Sequence, residues 1–313
     1  MGRKSLSRLA VDIGGYVTGR GEIPLAAPPG DLGYPIDWRF TLARPDYYFA
    51  PFDRNGLPMR RFESAAEPVY LPSRLASWAL AHWTKLEEGG GSSHHRDFLK
   101  AAEWFAAEPD GLYYHTYEMP AVGARTPWLS ALSQGQAVSV LVRAHALTGD
   151  RSFLDVARAA ATPLRTPLAD GGVVRTLAGV GPFLEEYPGS AGTLNGCLLA
   201  IAGLDDLIAC DAGNPAIDLR GELIETVADQ AEAWERRGWS LYNHAPVGSS
   251  VVPNFNTVRY HRLHIRLLDH FARCTDDHRL AASATRTRAA MDRLGVRLLA
   301  LGMKTRYRLR AGW

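Results

Sequence analysis

Four apolar helical segments recur at intervals of about 60 residues, and this spacing restricts the fold more than any other feature of the chain. Pro72 to Leu86 carries Leu75, Trp78, Ala79, Trp83 and Leu86 at helical spacing. Gln134 to Leu147 is the second, with Ser133 as N-cap and Gln136 completing a capping box. Thr193 to Cys210 is apolar almost all round, which predicts burial on every side. Val258 to Cys274 is the fourth. A second helix follows each one: Phe98 to Ala107, Phe153 to Thr162 closed by Pro163, Ile217 to Arg237 capped by Gly238, and Arg279 to Leu301. Helical hairpins with the more apolar helix first predict a mainly α fold. We expect an α/α toroid, an incomplete barrel of about four hairpins with the first helices inside. An open solenoid is the rival, but its loops are usually short.

The loops here are long. Residues 109–132, 163–192 and 239–257 separate the repeats, and long loops in a compact domain are usually functional. In a toroid they gather at one end. Residues 1–69 read differently, with Gly14-Gly15, Pro28-Pro29-Gly30, Asn55-Gly56 and a β-like Tyr47-Tyr48-Phe49 run. The expected domains are thus a β-rich or irregular N-terminal extension over 1–69 and an α/α-barrel catalytic domain over 70–313.

Composition removes several classes. The net charge of +2 argues against a dedicated nucleic-acid binder, where a basic footprint is expected. It conceals a basic stretch, since Arg286 to Arg310 holds eight Lys or Arg against Asp292 alone. That stretch is either a solvated helix face or a surface that attracts an anionic polymer. Cys197, Cys210 and Cys274 lack CxxC spacing, which excludes a cysteine-rich zinc site and suits a reducing compartment. No run of 18 apolar residues occurs, so no membrane span is expected. The N-terminus lacks the apolar core of a secretory signal, and we expect a cytoplasmic protein. A homodimer is compatible with the sequence.

The loops concentrate aromatic and ionisable side chains. Loop one holds Tyr113, Tyr114, His115, Tyr117, Glu118, Arg125 and Trp128. Loop two holds Arg175, Glu185, Glu186 and Tyr187. Loop three holds Trp239, Tyr242, Asn243, His244, Asn254 and Asn256, and runs into Arg259, Tyr260, His261 and His264. Aromatics beside carboxylates and donors suit a carbohydrate groove, although Tyr and Trp also simply pack loops. Two adjacent glutamates likewise serve as caps or solvated faces. His261 and His264 stand at i and i+3, but HExxH and an obvious third ligand are missing, and no metal is expected. Gly179-Val180-Gly181 is not GxGxxG, and neither a Walker A motif nor GxSxG occurs.

These motifs together resemble the D-glucuronyl C5-epimerases. The run from Trp128 through Ser130-Ala131, Gln134-Gly135-Gln136-Ala137 and Arg143-Ala144 is similar to that family's signature. So are Glu185-Glu186-Tyr187-Pro188, Leu194-Asn195-Gly196, Gly203-Leu204-Asp205-Asp206-Leu207, and Tyr260-His261-Arg262-Leu263-His264-Ile265. Tyr70-Leu71-Pro72 and Leu80-Ala81-His82-Trp83 resemble its opening helix, and the matches stay colinear from Tyr70 to Leu268. The resemblance implies an α/α barrel and an isomerase that converts D-glucuronyl to L-iduronyl residues in a heparosan-like polysaccharide, with no redox cofactor. It further implies that Glu186, Tyr187, Tyr242 and Tyr260 are active-site residues. After Tyr242 the chain departs from the family's Asp-Leu-Arg-His run, having Asn243-His244-Ala245. His244 or Arg259 would replace that arginine.

The chemistry explains the need for such groups. C5–H lies α to a carboxylate, so its removal places a second negative charge beside the first. Donors or cations must stabilise the enolate-like species. One group must remove the proton and another deliver it to the opposite face. We expect Glu186 and Tyr260 as the acid/base pair, Tyr187 and Tyr242 assisting. His261, His264, Arg259 and His244 are candidate charge neutralisers. Trp128, Gln134 and Asn195, within the matching motifs, are expected to bind substrate. A polysaccharide lyase begins with the same abstraction, a glycoside hydrolase would use paired carboxylates, and a catalytically silent polysaccharide-binding protein is the alternative outside enzymes.

Overall fold

The computed structural model describes residues 12–21, 34–62, 65–189 and 192–311. The Pro28-Pro29-Gly30 turn lies outside them. Helices dominate: α1 (residues 12–18), α2 (Pro45–Phe49), α3 (Pro72–Glu87), α4 (Ser92–Ala106), α5 (Ala131–Thr148), α6 (Arg151–Ala160), α7 (Leu194–Cys210), α8 (Ala216–Asp229), α9 (Val258–Thr275), α10 (His278–Met291) and α11 (Leu294–Ala311). Two small antiparallel hairpins complete the regular structure. One pairs β1 (Val174–Leu177) with β2 (Gly181–Leu184), the other β3 (Glu235–Arg236) with β4 (Trp239–Ser240).

The mainly α expectation and the four hairpins are present. Helix α3 packs on α4, α5 on α6, and α9 on α10, while Arg220 of α8 bonds Asp205 of α7 at 2.7 Å. Several boundaries differ from the expected ones. Helix α5 begins at Ala131 behind Ser130, whose side chain makes no capping bond. Ser133 lies inside the helix and bonds His115 instead, so the capping box does not form. Helix α4 starts earlier than expected because its exposed first turn is polar, Ser92-Ser93-His94-His95, and carries no apolar signal. The helix expected to run to Arg237 ends at Asp229 and gives way to a 3-10 turn, Ala231–Trp234. Gly238 is then a hairpin residue: it and Arg237 both have positive φ, as a two-residue turn between β3 and β4 requires. The long last helix is two helices, α10 and α11, broken at Asp292 and Arg293. The Tyr47-Tyr48-Phe49 run is helical rather than β-like.

The described residues fall into two compact units. The first comprises the described residues of Met1–Pro24, Ala191–Asn195 and Glu225–Trp313; the second comprises those of Leu25–Ser190 and Gly196–Ile224. In the first unit, Tyr16, Trp239, Leu241, Phe255, Val258 and Ile265 belong to one apolar core. Helix α11 is bound to α1 there, with Arg308 on Asp12 at 2.8 Å and Arg297 Nε donating to the Tyr16 carbonyl at 2.8 Å.

In the second unit, α3 packs against α5, and α5 crosses α7 with almost no side chain between the backbones. A Cβ on Gly135 would stand 2.4 Å from the Ala200 Cα, and one on Gly203 would stand 2.1 Å from the Gly135 carbonyl oxygen. Farther along the same two helices, Arg143 meets Asp206 at 2.5 Å, both essentially buried. Burial raises the Asp206 carboxyl above its ordinary range despite the arginine.

Candidate active site

The second unit holds Glu186 and Tyr187. The β1–β2 hairpin delivers them. Its turn puts Ala178 and Gly179 at positive φ, closed by Val180 N–H on the Leu177 carbonyl at 2.8 Å. The Gly179-Val180-Gly181 run is therefore hairpin geometry. Beyond β2 the chain stays extended, with Glu185 N–H on Val173 O at 2.9 Å and Ala131 N–H on Glu185 O at 3.0 Å. Arg175 Nε donates to Glu185 Oε1 at 2.6 Å. The two neighbouring glutamates thus separate in role: Glu185 is tied to its own hairpin.

Glu186 packs against the first turn of α7 instead. A Cβ on Gly196 would lie 2.6 Å from both the Cβ and the Oε2 of Glu186, so only glycine lets the helix approach this carboxyl. The first turn of a helix carries partial positive charge and favours an anion. Only 5% of Glu186 remains exposed.

An aromatic wall adjoins it. Tyr187 meets Trp128 at 5.7 Å between ring centres, and Trp128 stacks on His115 at 4.0 Å. The indole N–H of Trp128 donates to the Tyr117 carbonyl at 2.9 Å, and Phe62 stacks on Tyr117 at 3.6 Å. The His115 ring bonds both the Tyr117 hydroxyl and Ser133 Oγ at 2.9 Å. Burial pushes His115 down to about 3, so the ring is neutral. Burial raises the Tyr117 phenol, and the nearby Glu186 charge adds to that. His115 and Tyr117 were visible as loop aromatics, but nothing in the sequence marked them as the floor under Trp128. Gln134, expected to bind substrate, is fully buried, with its amide nitrogen on Gly111 O at 2.8 Å and Ala160 O at 3.0 Å. Its oxygen accepts from Tyr113 N–H at 3.0 Å. These bonds make it a latch between loop one and helices α5 and α6.

The first unit holds Tyr242 and Tyr260, whose rings meet edge to face at 5.6 Å. Tyr260 sits in the first turn of α9, capped by Thr257, and is 38% exposed. Arg259 beside it is exposed as well. His261 and His264 point the other way and are fully buried. His261 stacks on Trp239 at 3.8 Å. Its Nδ1 accepts from Ser240 N–H at 3.1 Å, and its Nε2 donates to Thr287 O at 2.9 Å. Burial lowers both imidazoles to about 3. Both ring nitrogens of His261 are thus engaged by protein groups. His264 faces the Asn256 amide at 3.4 Å. His244 donates to Gln230 Oε1 at 3.1 Å and lies against Trp234. Asn195 is buried at the start of α7. Among the described residues no group of three His, Cys, Asp or Glu side chains is arranged to hold a metal ion, and no helix is long and apolar enough to cross a membrane.

The family model described as "D-glucuronyl C5-epimerase C-terminus" matches residues 110–288, more than half of the chain. The chain belongs to this family. A D-glucuronyl C5-epimerase of Caenorhabditis elegans is 28% identical over 176 residues, which cover 51% of this chain and 28% of that protein. The match thus spans under a third of the relative's length. Within the family stretch lie Glu186, Tyr187, Tyr242 and Tyr260. Helices α1, α2, α3, α4 and α11 lie outside it.

Proposed function

We propose that this chain is a uronyl C5-epimerase that converts D-glucuronyl to L-iduronyl residues within a heparosan-like acidic polysaccharide. One observation carries the reading. Glu186 is a buried carboxyl held against the first turn of α7 by a glycine that admits no side chain, within the stretch shared with the family. A carboxylate fixed there, with the phenol of Tyr187 beside it in sequence, suits proton transfer at a carbon next to a carboxylate.

In this reading Glu186 and Tyr260 are the acid/base pair, assisted by Tyr187 and Tyr242. A tyrosine has an unperturbed pKa near 10, so it donates a proton at neutral pH more readily than it takes one. Glu186 is then the better base and Tyr260 the better proton donor for one direction of the reaction. The flat aromatic wall of Trp128 and Tyr187 suits the C–H face of a sugar ring. The first half of the reaction is shared with polysaccharide lyases, and the product separates the two.

Incubation with heparosan in deuterated water is expected to place deuterium at C5 of the uronyl units and to create iduronate, both read by NMR. An unsaturated, UV-absorbing product would identify a lyase instead. Binding without solvent exchange would identify a polysaccharide-binding protein. Absence of exchange with every glucuronate polymer tried would refute the epimerase reading.

A further inference from the structure

Helix α11 lies beyond the family-matched stretch, yet one of its side chains reaches the strand that carries Tyr242. Residues 240–242 and 254–256 form a short antiparallel ladder. Tyr242 N–H donates to Asn254 O at 2.7 Å, Asn256 N–H donates to Ser240 O at 3.0 Å, and Leu241 pairs with Phe255. Residues directly opposite in such a ladder share a face. Leu241 and Phe255 share one face, and this pair and the Ser240/Asn256 pair are both buried, whereas Tyr242 and Asn254 are half-buried. Ser240 and Asn256 share the other face and bond side chain to side chain at 2.9 Å. Tyr242 and Asn254 follow on that same face. The ammonium of Lys304 donates to Asn254 Oδ1 at 2.7 Å, so a cation stands on the Tyr242 side of the ladder. Tyr260 meets Tyr242 from α9.

The surroundings of Lys304 set it apart from other cations of the basic stretch. Arg286 pairs with Glu235, Arg288 with Asp269 and Arg308 with Asp12. Lys304 is half-buried, yet among the described residues it forms no ion pair. A neutral amide oxygen compensates weakly for withdrawing an ammonium from water. Burial, reinforced by Arg308 and partly opposed by Asp12, lowers its pKa to about 8. The ring of Tyr307 lies 5.8 Å from the ammonium. At neutral pH the side chain is still charged, and with Asp12 paired to Arg308, a half-buried cation that forms no ion pair has a place for an external anion.

We propose that Lys304 is a substrate-binding residue that holds the carboxylate of an acidic sugar presented to Tyr242 and Tyr260. The assignment rests on the uronate reading above and names the group that receives the uronate charge. The competing role is purely mechanical, an anchor that ties α11 to the ladder.

Calorimetric titration with a heparosan oligosaccharide separates the two, using the wild type, Lys304→Met, Lys304→Arg and Asn254→Asp. Loss of a charge-assisted bond should weaken binding by Lys304→Met at least about tenfold, with Lys304→Arg retaining most of the affinity. In the exchange assay Lys304→Met should raise KM more than it lowers kcat. Asn254→Asp is the discriminating variant. It gives the ammonium a carboxylate of its own, which should strengthen the anchor, raise the melting temperature and weaken oligosaccharide binding. Unchanged affinity in Asn254→Asp, or in a folded Lys304→Met, would overturn the proposal; should Lys304→Met not fold, Asn254→Asp and Lys304→Arg carry the test. Wild-type binding without proton exchange would remove the epimerase activity and leave the carboxylate site standing. A wild type that binds no uronate oligosaccharide overturns both.

Discussion

Glu186 and Tyr242 come from the same family stretch but are held in place by different means. Glu186 is positioned by near neighbours. The hairpin of residues 174–184 leads into it, Arg175 secures the adjoining Glu185, and Gly196, ten residues on, lets α7 close over it. Tyr242 is positioned by residues from the far ends of the chain. Tyr16 donates to the Asn256 carbonyl at 2.7 Å, as Trp239 does at 2.9 Å, and Lys304 bonds Asn254. One candidate site segment is therefore fixed by the motif that contains it, and the other also by terminal helices outside the family stretch. The comparison teaches that a motif match can carry positional information for one site residue and very little for another.

The largest expected effects lie on the first side. Glu186→Gln should lower C5 exchange by about 10²–10⁴-fold, the usual contribution of a positioned acid or base, with the melting temperature nearly unchanged. Exchange at the wild-type rate would remove Glu186 from the chemistry. The frame beneath it comes next. Arg143→Met would leave the Asp206 carboxyl buried without its guanidinium, and should cost about 3–5 kcal/mol in chemical denaturation. Replacing both residues with apolar ones should recover most of that loss. A loss below about 1 kcal/mol for the single variant would mean that α5 and α7 are held by their glycine contact alone.

Gly196→Ala sharpens the contrast directly. The new Cβ must displace Glu186, so exchange should fall by about 10²-fold, as for small misplacements of reacting groups. Overpacking should cost only about 1–3 kcal/mol. A loss of stability with full activity would show that Glu186 tolerates the shift. The smallest effect belongs to the terminal clamp. Tyr16→Phe removes one of two bonds to the Asn256 carbonyl, and Trp239 continues to satisfy that oxygen, so about 0.5–1.5 kcal/mol should be lost. If exchange drops as steeply as in Gly196→Ala, the Tyr242 strand is as finely set as Glu186, and the comparison fails.

Four hairpins, their order and their apolar first helices were legible in the sequence because helical periodicity and the absence of internal Pro are local properties. The candidate residues Glu186, Tyr187, Tyr242 and Tyr260 were legible because the motifs around them are short and contiguous. The capping box at Ser133 and the helix through Gly238 misled because cap and helix patterns are satisfied equally well by residues with tertiary partners, here His115 and a β-hairpin. The basic stretch read either as a solvated helix face or as a surface for an anionic polymer, and Arg286, Arg288 and Arg308 within it are each bound to a carboxylate from elsewhere in the chain.

The sequence by itself determined the four helical hairpins with their apolar first helices, and its resemblance to a family supplied the carboxyl and phenols proposed for the chemistry. Only the tertiary structure decided what each polar group is for. It separated Glu185 from Glu186, withdrew Gln134 and His261 into the interior and brought Lys304 to the strand of Tyr242. The physical reason is that a side chain's charge state and availability depend on its burial and its partners, and those partners lie as few as two residues away for His115 and Tyr117 and 240 away for Tyr16 and Asn256.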